Sequence, residues 1–221
     1  MSSEVDGLEI GLILPEVILT LGLAAIILVP NLGDAKFRIP LTSVRVPVFI
    51  GGTRFEKTRD PRLPNWMALA TLSAALAAAV LALLDPAEWS GNVGSALESD
   101  QFSILLTNVF LCVLLLSAAA ASLSLPSDPY AKPPADGDDE DTEASKTSVL
   151  YDNRRQADFH ILLLTMGLGM CLMAKSTHLF MLFVCLELAS LSSYVLVGFN
   201  KHTGEGGEAG TKYFIVGSVA S

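Results

Sequence analysis

The chain has 221 residues, 51% of them hydrophobic and 17% charged, with a net charge of −9. A soluble domain of this size needs far less apolar side chain, and the acids gather in two connections, so neither a soluble fold nor a nucleic-acid partner fits. Cys112, Cys171 and Cys185 all lie inside apolar blocks without metal-ligand spacing, and read as small apolar side chains rather than a disulfide or redox motif.

The apolar residues come in blocks of roughly 18 to 25, the length an α-helix needs to cross a bilayer. They predict an all-α, polytopic transmembrane bundle of about six spans. The first, residues 10–29, follows Glu4, Asp6 and Glu9 without a preceding base, which excludes a secretory signal, and it closes at Pro30, Asn31 and Gly33. Residues 30–65 form a basic loop carrying Lys36, Arg38, Arg45, Arg54, Lys57, Arg59 and Arg62. Its run Val46 to Ile50 contains Pro47 and is at most a strand or an interfacial patch.

The second span, 66–84, has Trp66 at one interface and ends at Asp85-Pro86. A connection with Asp85, Glu88, Glu98 and Asp100 and no base leads to the third, 102–125, stopped by Pro126. Residues 126–158, with Pro133-Pro134 and Asp138-Asp139-Glu140-Asp141, read as an acidic, disordered loop. The fourth span, 159–174, joins the fifth, 179–199, through a turn at Lys175, Ser176 and Thr177 so short that the two must be antiparallel neighbours. After a glycine-rich loop at 204–207 the sixth, 208–221, runs to Ser221 with no polar flank or stop signal, the pattern expected of an N-terminal fragment.

Basic residues mark the cytoplasmic side. The connections after spans one, three and five hold the seven bases named above, then Lys132, Lys146, Arg154 and Arg155, then Lys201, while the other side holds only Lys175. This places the N-terminus outside the cytoplasm and both long loops inside it.

A charge at mid-bilayer costs roughly 2.5–3.5 kcal/mol on insertion scales, so Glu187, near the middle of the fifth span, demands a reason. Its candidate partner is Lys212, about one turn into the sixth span. A carboxyl and an amine that shift each other's protonation can load and release a proton. The plainer readings are a protonated Glu187 bonding two helices and a Lys212 that reaches the interface. Glu16, beside Pro15 in the first span, is the second buried carboxylate, with a helix-packing role and a proton-path role equally open. Asp158 and His160 open the fourth span, Asp158 as a helix-capping acid and His160 as an interfacial side chain. No phosphate loop, nucleophile elbow or metal-ligand cluster occurs, so neither a cofactor nor a metal site is expected in this chain.

The run Leu182 to Leu196, with Leu186-Glu187-Leu188 followed by Ser190 and Tyr194, and then Glu208-Ala209-Gly210-Thr211-Lys212-Tyr213-Phe214, resembles subunit N of the proton-pumping NADH-quinone oxidoreductase (respiratory complex I), a relative of multisubunit cation/proton antiporters. Leu14-Pro15-Glu16 and the stretch from Gly167 to Ala174 resemble it too. The resemblance implies an antiporter-like membrane-arm subunit of the cell inner membrane. It implies proton translocation at Glu187 and Lys212, partners among the other membrane-arm subunits, and NADH, FMN, iron–sulfur clusters and quinone held elsewhere in the complex. Three departures stand out: Ser192 where the family usually has proline, two long loops, and nothing beyond Ser221. The alternatives are a subunit of a sodium/proton antiporter and a truncated remnant that conducts nothing.

Overall fold

The computed structural model describes residues 11–28, 32–38, 45–49, 63–124, 143–199 and 204–220. Six helices dominate: α1 (Leu14–Leu28), α2 (Leu63–Leu84), α3 (Gln101–Ser124), α4 (Glu143–Ala174), α5 (Leu179–Val197) and α6 (Gly204–Ala220). Two antiparallel hairpins interrupt them, β1 (Leu32–Arg38) with β2 (Arg45–Phe49), and β3 (Gly91–Val93) with β4 (Leu97–Ser99).

The polytopic helical bundle stands, although among the described residues four helices rather than six are long and apolar enough to cross a membrane. They are α2, α3, the Gln156–Ala174 part of α4, and α5. Helices α1, at 15 residues, and α6, at 17, are shorter.

Local chemistry sets the boundaries. Pro64 sits in the first turn of α2, where its missing N–H costs nothing, and Asp85-Pro86 ends that helix as expected. At the start of α3, the Ser103 N–H donates to Asp100 Oδ1 at 2.8 Å while the Asp100 N–H donates to Ser103 Oγ at 2.9 Å, a reciprocal cap that satisfies two otherwise orphaned donors.

Two expectations change and a third is narrowed. The fourth helix begins at Glu143, so residues 143–158 of the expected disordered loop are helical; they are polar but contain good helix formers and neither Pro nor Gly, and polarity predicts solvation rather than disorder. The expected glycine-rich loop at 204–207 forms the first turn of α6, where Glu205 complements the helix dipole. Within the basic 30–65 connection, Arg45–Phe49 pairs with Leu32–Arg38, as a strand reading of that run allows, and Pro47 is accommodated in a two-stranded ribbon whose register shifts between Leu32 and Lys36. The rest of that connection, residues 126–142, and the flanks 1–10 and 200–203 lie outside the described residues.

The core lies between α1, α2, α3 and α4 and is built from small residues on α2 (Ala68, Ala75 and Ala79, around Leu72) against Leu19, Leu111, Leu114 and Leu164. Larger side chains of α2 such as Leu81 and Leu84 point outward. Small residues inside and large ones outside are what close helix packing in lipid favours, because burial from hydrocarbon supplies little drive and backbone approach supplies most of it. Asn108 on α3 ties the layer together by donating to the Ala79 carbonyl across the interface and to Ile104 on its own helix, both at 2.9 Å.

Successive helices alternate in direction. One end of the bundle gathers the start of α1, the β3–β4 hairpin, the start of α3 and the α4–α5 turn. The hairpin turns at Gly94, whose φ of +62° only glycine adopts without cost. It grips the turn through the Glu98 N–H to the Lys175 carbonyl (2.7 Å) and the Thr177 N–H to the Ala96 carbonyl (3.0 Å).

Candidate functional site

Two ionisable centres occupy the bundle, and they are unlike each other. The first joins α1 to the α4–α5 turn. Lys175 Nζ lies 2.9 Å from both carboxylate oxygens of Glu16 and donates to Oε2 and to the Leu12 carbonyl, the latter also at 2.9 Å. Both side chains are 3% exposed. Three local features place them. Pro15 and Glu16 form the first turn of α1. The Lys175 N–H donates to the Leu172 carbonyl and continues the end of α4, and the hairpin holds the Lys175 carbonyl from the other side.

Lys175, the one base of its side and expected only as part of a short turn, is turned inward as the counter-ion of Glu16. The signal available was that Glu16 had no cation on its own helix and that Lys175 fell on the matching side of the membrane.

The second centre is on α5 and α6. Helix α5 packs antiparallel on α4 where Gly169 lies against Cys185 and Ala189; a Cβ on Gly169 would come within 2.8 Å of the Ala189 nitrogen. Glu187 sits at this level, half-buried, and among the described residues no ion pair or hydrogen bond is made by its carboxylate. Helix α5 runs unbroken past Ser192, whose hydroxyl donates to the Leu188 carbonyl at 2.8 Å where a proline would have removed a backbone donor.

Helix α6 meets α5 at Gly198 and Gly210, so close that a Cβ on Gly210 would stand 2.7 Å from the Gly198 Cα. Tyr194 packs edge-on to Tyr213 and Phe214. That antiparallel register sets Lys212 near the level of Leu196, nine residues beyond Glu187, or about 14 Å along α5 at 1.5 Å per residue. Lys212 is 73% exposed and pairs with Glu208 one turn back on its own helix. The expected direct contact between Glu187 and Lys212 is therefore not made: the antiparallel register separates them.

His160, expected at the interface, is fully buried on α4, with Nδ1 2.8 Å from the Gln156 carbonyl and its ring edge-on to Phe159. The four-turn polar extension of α4 before it moves the helix end away, which is why an interfacial reading fails. Cys171 and Cys185 are buried and free, Cys112 exposed and free, and among the described residues no group of three His, Cys, Asp or Glu side chains is placed to hold a metal.

A family model described as NADH:quinone oxidoreductase/Mrp antiporter, transmembrane, matches residues 176–221, the stretch that holds Glu187 and Lys212. NADH-quinone oxidoreductase subunit N of Azorhizobium caulinodans is 31% identical over 198 residues, 88% of this chain and 35% of that protein. The subunit N of Rhizorhabdus wittichii is 29% identical over 217 residues, covering 96% of this chain and 34% of its own. A shorter stretch of 72 residues is 47% identical to subunit N 2 of Chloroherpeton thalassium, over 33% of this chain and 14% of that one. The chain thus spans about a third of the length of the curated relatives that it matches end to end.

Proposed function

The chain belongs to the family of NADH-quinone oxidoreductase subunit N, and from that premise we propose that it serves in the membrane arm of such an enzyme, where quinone reduction elsewhere drives proton transfer through its buried carboxylate. The observation that carries this reading is Glu187: a half-buried carboxylate in the middle of a membrane-length helix, with no cation partner among the described residues, inside the segment that the family model matches. Such a group is costly unless it changes protonation, and changing protonation is what translocation requires.

Lys212 acts with Glu187 at a distance in this reading. A proton passing between their levels crosses about 14 Å along α5, so it needs groups or waters in between rather than one hydrogen bond. Glu16, held by Lys175, serves as the brace of the first span. NADH, flavin, iron–sulfur clusters and quinone belong to other subunits of the assembly. The protein lies in the cell inner membrane with the β3–β4 hairpin and the α4–α5 turn on the non-cytoplasmic side. The bases counted by sequence support this: the one base of that side is buried on Glu16.

The test is Glu187→Ala and Glu187→Gln in the intact membrane assembly, with NADH-driven proton uptake and quinone reduction followed together. We expect Glu187→Ala to lower proton transfer at least tenfold while the assembly still forms. Unchanged proton transfer and unchanged quinone reduction in both variants would sink the reading. A loss of sodium-linked proton exchange with quinone reduction intact would move the chain to the antiporter side of the same family.

A further inference from the structure

A small cavity of about 10 Å³ opens beside the buried ion pair, lined by Leu12, Pro15, Trp89, Ser99, Thr107 and Lys175 among others. It is close to the least space that admits one water, on the order of 10–15 Å³. Thr107 is 1% exposed, and its Oγ1 has no protein partner. This sets it apart from the other helical hydroxyls. Thr20, Thr71, Thr165, Ser192 and Thr211 each donate to the carbonyl four residues back. The Lys175 ammonium has three N–H donors; the Leu12 carbonyl and Glu16 Oε2 accept two, and Glu16 Oε1, also 2.9 Å from Nζ, accepts no hydrogen bond.

We propose that this cavity is a binding site for a single water molecule, held between Thr107 Oγ1 and the Lys175 ammonium. The charge balance selects the ligand. Glu16 already neutralises Lys175, so an anion finds no net positive charge, and a cation would face an ammonium. A neutral molecule that both donates and accepts satisfies the third lysine donor and the threonine hydroxyl at once, and the volume matches one water. The bound water makes the ion pair part of a hydrogen-bonded chain reaching from α1 to α3, so that Lys175 has a route for proton exchange besides Glu16. The inference stands apart from the role given to Glu187, which lies on another helix pair.

The experiment is a cryo-EM map of the intact assembly at a resolution that shows its internal waters, for the wild type and for Thr107→Val, together with thermal denaturation of both in detergent. We expect density within hydrogen-bond reach of Thr107 Oγ1 and Lys175 Nζ, its loss in Thr107→Val, and a denaturation midpoint a few degrees lower in the variant. A dry cavity in a wild-type map that shows waters elsewhere overturns the proposal. So does a midpoint that rises in Thr107→Val, since replacing an unpartnered buried hydroxyl by a methyl stabilises only if no water was there to bond it.

Discussion

Glu16 and Glu187 are the same side chain in two apolar helices, yet one is enclosed and neutralised while the other is half-buried and, among the described residues, unpaired. Glu16 meets its lysine across a gap of 159 residues, with both partners 3% exposed. Glu187 lies on a helix whose apolar side chains Leu179, Phe180, Phe183, Leu191 and Val195 are largely exposed. What separates the two is whether the fold delivers a cation to the carboxylate. A carboxylate locked to an ammonium braces; the one without a partner among the described residues is the one proposed above for proton transfer.

The sharpest way to break this contrast is Lys175→Met. Removing one partner of a buried pair leaves an uncompensated charge and is expected to cost about 3–5 kcal/mol, read as a lower denaturation midpoint and loss of the protein from membranes. The double variant Lys175→Met with Glu16→Gln should recover more than half of that. A single variant as stable as wild type would show that the pair contributes no bracing.

Next in size is Gly169→Val, which places side-chain carbon where the Ala189 nitrogen and the Cys185 carbonyl stand at 2.8 and 2.9 Å, and forces α5 off α4. An overpacking cost of about 1–3 kcal/mol is expected, together with loss of Glu187-dependent proton transfer; retention of both activity and midpoint would mean that this crossing does not position Glu187.

A smaller effect follows from the cap of α3, on the hairpin side. The Ser103 N–H and hydroxyl hold the Asp100 carboxyl below the usual carboxylate range. A group depressed in this way contributes fully above its unfolded value, about pH 4, and loses that contribution as pH falls through the lower folded value. Asp100→Ala should cost about 1 kcal/mol at neutral pH, and Asp100→Asn should keep the cap while flattening the acid limb of a pH–stability scan; an unchanged acid limb would mean that the carboxylate is not the titrating group.

Smallest is the stability effect of Glu187→Gln, expected to stay within about 0.5 kcal/mol because no partner is lost. A large destabilisation there would erase the distinction between the two carboxylates.

Four of the six expected spans were legible because unbroken apolar blocks report length directly, and the boundaries of α2 at Pro64 and Asp85-Pro86 follow from backbone chemistry that any single residue carries. The antiparallel neighbourhood of α4 and α5 was legible from the length of one turn. The ion pair was not, because Lys175 sits among Ser and Thr in what reads as a solvent-facing turn, and only the docking of the β3–β4 hairpin turns it inward. Nor was the separation of Glu187 from Lys212, which depends on where Gly198 and Gly210 set the register of two helices and not on either titratable residue. The helical nature of residues 143–158 was hidden by their polarity, a property that bears on solvent rather than on backbone.

The Glu16–Lys175 contact also dictates an order of events in biogenesis. Glu16 leaves the ribosome 159 residues ahead of its lysine. At about 5–20 residues per second, roughly 8–30 s pass in which the acid has no counter-ion. During that interval a helix of only 15 residues, with Glu16 in its first turn, can keep the acid at the water interface. The first helix is therefore locked in place only after the second and third have emerged, seated when the end of the fourth arrives with its lysine.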